Sequence, residues 1–386
     1  MTNQIQNSNM NKSSIILKYF QKVHLLTVDN PDYCRTISSL FEWLTENDRI
    51  KNDRTTRLLL CHPRPDRGSF KIPAGVYPVD SRFRGNDNGA GTVKIISRQN
   101  LIIAGLEEIA YLLKKYTHLS LRLKCKDSQS VNKDQVIAEI IGSTSEILAY
   151  ERTVLNILQR MSGIATETKN IMQVIAKHGK IFADRILSER IRVSWKEEGF
   201  VSSELRSKKI LVCEQLPMIA ATRKTPWMAL DKKAVAAGGG LTHRLDLSDG
   251  ILIKDNHLQA IRTKYHLLSN QEAIRKALTI IIPQSINQLI EVETETEEET
   301  VVTISTFQQL NNNNSLAILL DNFTIAKATR TIEEIKKDYD VSNIIFEASG
   351  GITSENISKW RQTGVDFLSL GSLTHSPKAA DLSIEF

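Results

Sequence analysis

The chain has 386 residues, 41% hydrophobic and 24% charged, with a formal net charge of +6. That is room for two domains in an ordinary globular composition, and the modest basic excess suits anionic small molecules without the Lys/Arg block of a nucleic-acid tail. Cys34, Cys61, Cys125 and Cys213 are scattered and read as free thiols, the start is polar, and no apolar run reaches the ~18 residues of a membrane span, so a cytoplasmic protein with neither nucleic acid nor membrane as partner is expected.

In chain order, Ile15 to Glu46 carries helical spacing, including Ile37, Leu40, Phe41 and Leu44. Cys61 to Thr92 is dense in proline and glycine and poor in aliphatics, which predicts a surface loop or disordered insert. Regular structure is expected from Val93: a strand, a helix at Leu106–Lys115, and strands near Leu119–Cys125 and Gln135–Gly142, making an α+β module. From Glu151 the apolar positions Val154, Leu155, Leu158, Met161, Ile164 and Ala165 keep helical period. Arg185–Leu216 is densely charged and has no place in an α/β alternation, so it reads as a second insert, with Pro217–Ala220 starting the next strand.

The remainder alternates short apolar runs (MIAATRK, GILIKDNH, LIEVETE, AILLDN, IIFEASGG, FLSLGS) with helix-compatible segments. This predicts parallel strands joined by crossover helices, in either an α/β barrel or an open doubly wound sheet; both gather functional groups at strand ends. Asn311–Asn314 reads as a plain helix-to-strand loop.

Thr222–His257 sets Arg223, Lys224, His243, Arg244 and Lys254 around a Gly238–Gly240 run, a pattern suited to a multiply charged anion although a solvated basic face looks similar. Glu291, Glu293 and Glu295 alternate and should share one strand face, and Asp321 ends the next strand. Paired carboxylates there could hold magnesium and ribose hydroxyls, or steady a sugar C1 that turns cationic as its leaving group departs. Ser349-Gly350-Gly351 and Gly371-Ser372 end the last two strands before helix-like starts, where backbone N–H groups could cradle a phosphate.

These phrases, in this order and spacing, resemble the quinolinate phosphoribosyltransferase family: ERTVLNILQRMSGIAT at 151–166, ATRKT at 221–225, AVAAGGGLTHRLDLSDGILIKDNH at 234–257, IEVETE at 290–295, ILLDN at 318–322, EASGGI at 347–352 and GVDFLSLGSLTHS at 364–376. The resemblance implies an α/β fold in which an incomplete α/β barrel of parallel strands follows an α+β open sandwich. It implies a sandwich over residues 1–150 with an insert at 61–92, a barrel over 151–375 with an insert at 185–216, and a tail at 376–386 returning to the sandwich. It further implies a homodimer in which Arg152 reaches the other subunit's site. Arg223, His243 and Arg244 would grip two quinolinate carboxylates, and Lys224 and Lys254 would stand between quinolinate and the pyrophosphate of phosphoribosyl pyrophosphate. Glu293 and Asp321 would face ribose and Mg2+, while Ser349, Gly350, Gly351, Gly371 and His375 would take the 5′-phosphate. The implied products are nicotinate mononucleotide, pyrophosphate and CO2.

The chain departs from the family pattern in four places, one being a slightly longer spacing from Glu293 to Asp321 that the asparagine run accounts for. PWMALDKK stands where the family has a Pro-Gly-Leu-Arg phrase, leaving Lys232 and Lys233 as unassigned cations nearby. The early acidic phrase is poorly matched, and Arg185–Leu216 interrupts the strand leading to TRKT. Three other readings follow: a paralogue associated with molybdate uptake, a nicotinate phosphoribosyltransferase, and an inactive anion-binding dimeric scaffold. The arginines favour a dicarboxylate, and intact candidates at every strand end speak against decay.

Overall fold

This computed structural model describes residues 11–48, 50, 90–176, 216–310 and 313–386. Of the segments read as inserts, 61–89 and 185–215 lie outside the described residues. Residues 90–92 are strand rather than loop, because Ala90–Thr92 pair with Ser143–Ile141. Among the described residues no helix is long and apolar enough to cross a membrane.

The chain forms two compact units. One contains Leu25–Glu167, Trp227–Gly238 and Ser376–Phe386; the other contains residues up to His24, Thr168–Pro226 and Gly239–His375. This differs from a simple division at residue 150. The first helix packs with the later strands, and the chain divides between units inside a helix, at 167/168.

In the Leu25–Glu167 unit, strands β1 (Ala90–Ser97), β3 (Ser120–Leu123), β5 (Val136–Ser143) and β12 (Leu382–Glu385) form an antiparallel sheet in the order β12-β1-β5-β3, and β2 (Leu101–Ile102) pairs with β4 (Ser130–Val131). Helices α2 (Pro31–Asn47), α3 (Leu106–Tyr116), α4 (Thr144–Ala176, as far as 167) and α5 (Ala229–Ala237) belong to the same unit. The tail lies against α4 at Gly163, where an added Cβ would fall 1.9 Å from the Lys378 carbonyl. Only glycine admits the Ala380 N–H to Gln159 carbonyl bond of 2.8 Å beside it.

The other unit holds six parallel strands: β6 (Met218–Ala221), β7 (Ile251–Ile253), β8 (Leu289–Thr294), β9 (Ser315–Asp321), β10 (Ile344–Ser349) and β11 (Phe367–Leu370). Their order is β6-β11-β10-β9-β8-β7. The first strand pairs with the last, which an open doubly wound sheet does not do, so this is a barrel. It is incomplete between β6 and β7, where only Leu241 bridges to Ala220. Crossovers α6 (Asp255–Tyr265), α7 (Asn270–Ile281), α8 (Glu297–Leu310) and α9 (Ile325–Asp338) join successive strands; Ile357–Gln362 is only a 3-10 turn where a helix was expected.

Helix α1 (Lys12–Phe20) closes the floor. Asn11 caps it, accepting the Ser14 N–H at 2.9 Å, and Ile15, Ile16 and Phe20 pack on Ala220, Leu241, Leu289, Ala317, Ile345 and Phe367. Lys12 is ion-paired to Asp366 at 2.9 Å, and Asp366 also accepts the Phe346 N–H. Beyond α1 the chain seals the open seam: the Phe20 carbonyl accepts the His243 N–H at 2.9 Å, and the Lys22 N–H donates to the Thr242 hydroxyl. Expected as part of one helical stretch to Glu46, α1 is a separate element, divided from α2 by a 3-10 turn at Val23–Leu25.

Register then stacks the interior. One row runs Leu252–Glu291–Ala317–Ile345, the next Glu293–Leu319–Glu347–Phe367, and the next Asp321–Ser349–Ser369–Ala220. Since a strand alternates faces, the apolar floor and the polar mouth come from the same parity. Asn314 does more than fill a loop: it is buried, accepts the Gln288 N–H at 3.0 Å and donates to the Ser285 carbonyl at 2.9 Å, tying β9 to the entry of β8.

Candidate active site

The outer strand ends open on a cavity of about 610 Å³. It is lined by Arg223, Lys224, His243, Arg244, Lys254, Glu293, Asp321, Ser349, Gly350, Gly351, Gly371 and His375. Arg152 is elsewhere, exposed on α4 in the unit that begins at Leu25. Lys232 and Lys233 are not in the lining either. Both are buried in that same unit, and Lys233 is ion-paired to Glu107 and Glu108, which removes it as a substitute cation.

At one side of the cavity, Lys224 and Lys254 flank Glu293 and Asp321. The Lys254 ammonium is 3.8 Å from the Glu293 carboxylate. Burial raises the Glu293 pKa and Lys254 offsets part of that, while Asp321 and Asp255 add to the rise. Burial likewise raises Asp321 against the pull of Lys224 and Lys254. Two half-buried carboxylates that both resist ionisation form a set of oxygen donors suited to a hard cation. Glu295 takes no part: β8 ends at Thr294, and Glu295 is exposed beyond it.

The glycine ends form the neighbouring wall, Ser349 being in register with Asp321 on the adjacent strand and Gly371 lying beside the Lys224 side chain. Gly350 has φ +85° and packs against Asn322, whose amide oxygen would lie 2.1 Å from an added Cβ. Asn322 itself donates its N–H to the Ser349 carbonyl at 2.9 Å. His375 closes this wall, in a short helix α10 (Ser372–His375), next to Gly371. The Thr374 hydroxyl donates to the Lys224 carbonyl at 2.9 Å, fixing the loop after β6 to the end of β11.

Deeper in the cavity sits a feature that inspection of the motifs missed. His243 is buried with φ +53°, and its Nε2 is 3.1 Å from Glu347 and 3.5 Å from Glu291. Its Nδ1 accepts the Arg244 N–H at 2.6 Å, so the ring proton lies on Nε2, toward the carboxylates. Burial would lower the His243 pKa, but Glu347 and Glu291 outweigh it and raise it. Burial and the Glu291 charge push Glu347 up to about 7, so this carboxyl keeps its proton well above the usual carboxylate range. Arg244 has its pKa lowered by burial and by the adjacent Arg223 guanidinium. Two guanidiniums crowded at one end of a cavity form a place for an anion, carboxylate above all. The signal for Glu347 was its parity: it lies two residues before Ser349 on the same strand face.

Two family models cover most of the chain: the quinolinate phosphoribosyl transferase N-terminal domain over residues 67–162 and its C-terminal domain over residues 208–385. The chain belongs to the quinolinate phosphoribosyl transferase family. The N-terminal match includes most of 61–92, and the C-terminal match starts within 185–216. A probable nicotinate-nucleotide pyrophosphorylase (carboxylating) of Methanothermobacter thermautotrophicus is 30% identical over 304 residues, 78% of this chain and 90% of that protein. One from Bacillus subtilis is 36% identical over 262 residues, 67% of this chain and 71% of that protein. NadC of Streptococcus pyogenes superposes with a TM-score of 0.59 at 26% identity, covering 81% of this chain and 91% of that one. The nicotinate-nucleotide pyrophosphorylase of Francisella tularensis shares the fold, with a TM-score of 0.61 at 24% identity over 91% of this chain and 96% of that one. As a member of the quinolinate phosphoribosyl transferase family, the chain is a phosphoribosyltransferase.

Proposed function

We propose that the chain converts quinolinate and phosphoribosyl pyrophosphate to nicotinate mononucleotide, pyrophosphate and CO2, a step in NAD biosynthesis. The observation that carries this reading is the single barrel mouth lined at once by Arg223 and Arg244, by Lys224 and Lys254, by the carboxylates of Glu293 and Asp321, and by the glycine ends at Gly350 and Gly371. Each group suits one part of the two substrates. The guanidiniums match the dicarboxylate, the ammoniums match the pyrophosphate, and the strand-end glycines match the 5′-phosphate. The pyridine nitrogen bonds to ribose C1 as the pyrophosphate oxygen leaves with its electron pair. The pyridinium so formed accommodates the C–C pair left at C2 when the 2-carboxylate departs as CO2, and C2 then takes a proton. Lys224 and Lys254 hold the leaving pyrophosphate, and Glu293 and Asp321 face the ribose carbon that becomes cationic.

Mg2+ belongs to this reading: Glu293 and Asp321 would hold it, their oxygen donors and half-buried setting fit a hard divalent cation, and it would neutralise pyrophosphate charge. A homodimer also belongs to it, with Arg152 supplied by the partner subunit, and so does a cytoplasmic location. The molybdate-associated paralogue and the inactive scaffold are the alternatives that the same test separates. Purified protein with Mg2+, phosphoribosyl pyrophosphate and either quinolinate or nicotinate should yield nicotinate mononucleotide from quinolinate alone. Product from nicotinate alone, or from neither acid in a folded protein, would defeat the reading.

A further inference from the structure

Beneath the two guanidiniums, the closed end of the cavity rests on charged groups that cannot reach solvent. Glu291 and Glu347 are 2% and 1% exposed, on adjacent inward rows of the barrel. Glu347 has a partner in the His243 ring at 3.1 Å. Glu291 Oε1, the oxygen that lies 3.5 Å from His243 Nε2, makes no hydrogen bond within the protein, and neither does Nε of Arg244. Both residues line a small cavity of about 10 Å³, walled on its other sides by Tyr19, Phe20, Ile251 and Leu289, with His243 and Asp249 also in the lining. That is the volume of one water, and the residues that line it carry the acceptor and donor groups a buried water needs. An unpaired buried carboxylate oxygen and guanidinium N–H together would otherwise be strongly unfavourable.

We infer that Glu291 and Glu347 are positioning residues for the closed end of the site, Glu347 holding the His243 ring and Glu291 holding the Arg244 guanidinium through one bridging water. The inference rests on the reading of His243 and Arg244 as the carboxylate grip. Backbone geometry supports it. His243 keeps a left-handed backbone at φ +53°, locked by the Phe20 carbonyl, and its Nδ1 accepts the next residue's N–H. Ring and guanidinium are therefore set as one unit, and a shift in either carboxylate would displace both. The consequence is specificity. A dicarboxylate that must meet the oriented ring and guanidinium loses affinity when they are freed, whereas the substrate bound by the glycine wall does not.

The test uses the full-length protein with Glu291→Gln and Glu347→Gln, measuring KM and kcat for each substrate and thermal stability. The expected result is a KM for quinolinate raised roughly tenfold or more, the loss of one charge-assisted contact, with the KM for phosphoribosyl pyrophosphate within about twofold of wild type. Unchanged quinolinate KM in both folded variants overturns the inference. A parallel rise of both KM values with a fall in stability assigns the carboxylates a structural role and also overturns it. Elemental analysis must show no stoichiometric transition metal, since a metal held by His243, Glu291 and Glu347 would replace the hydrogen-bonded arrangement. If neither variant folds, histidine-labelled wild-type protein decides by NMR. A His243 Nε2–H protected from exchange is expected, and one exchanging like a surface histidine overturns the hold. Wild-type protein that binds no quinolinate defeats this inference and the substrate reading together.

Discussion

The Lys254 ammonium lies 3.8 Å from the Glu293 carboxylate, at the outer ends of adjacent strands β7 and β8, with the lysine side chain still 44% exposed. A pair that long and that solvated is a weak brace, worth at most ~1 kcal/mol. Its value is that both partners can turn to a ligand. Lys254→Met is therefore expected to leave unfolding stability within ~0.5 kcal/mol of wild type. The same variant should cut kcat/KM by roughly 10² or more, because a cation facing the leaving group is lost. Steady-state kinetics beside urea unfolding check both halves. A large stability loss would show that the pair is structural.

Gly350 separates phosphate binding from acid binding. Alanine there would meet the Asn322 side chain and must adopt φ +85°. Gly350→Ala is expected to raise the KM for phosphoribosyl pyrophosphate by about tenfold, the scale of one displaced phosphate contact, while direct quinolinate binding stays unchanged. Isothermal titration of each substrate distinguishes the two walls.

The barrel floor depends on α1. Phe20 is 1% exposed, in edge contact with His243 and packed on Phe367. Phe20→Ala should cost about 3–5 kcal/mol, read as a lower urea midpoint. It should also weaken quinolinate binding, because the same ring borders His243. Stability lost with binding intact would mean that floor and site are mechanically independent.

Glu347 gives a pH prediction with a definite sign. Burial, then Glu291, raise its pKa from the usual carboxylate range to about 7. The folded state thus holds a proton that the unfolded state has released. The contribution is complete below the unfolded value, ~4.3, and is lost as pH rises through about 7. Urea midpoints should fall between pH 5 and pH 8, and Glu347→Gln should shrink that fall. An equal slope in the variant would place the titrating proton elsewhere.

Arg152 can be tested by complementation. If it serves the partner's barrel, Arg152→Ala and Lys254→Met, each inactive alone, should regain about a quarter of wild-type activity when refolded together, since half the dimers carry one intact site of two. No recovery in mixed dimers would place Arg152 outside catalysis.

Much of the barrel was legible because its grammar is local. Each strand is a short apolar run, and each ends in the groups that line the cavity: Lys254 after β7, Glu293 in β8, Asp321 in β9 and Ser349 in β10. Barrel closure was not legible, because the pairing of β6 with β11 joins segments some 150 residues apart. Nor was the role of α1, whose apolar face is ordinary until Ala220, Leu289, Ala317 and Ile345 meet it. Glu347 was visible only as part of a glycine-rich phrase. Its neighbours Ser349 and Gly350 looked like the chemistry, and nothing local showed that the residue two places earlier points at His243. Asn314 looked like filler in an asparagine run, yet its amide bonds to Ser285 and Gln288 come from a distant loop. Lys233 stayed unassigned from sequence for a related reason: its charge is consumed by Glu107 and Glu108, which lie more than a hundred residues earlier.

The most direct measurement is release of labelled CO2 from quinolinate carrying the label in its 2-carboxylate, with and without phosphoribosyl pyrophosphate. The account predicts CO2 in equal amount to pyrophosphate and none without the ribosyl donor, because decarboxylation waits for the pyridinium. Release that ignores the donor, or nucleotide formed with the label retained, would contradict it.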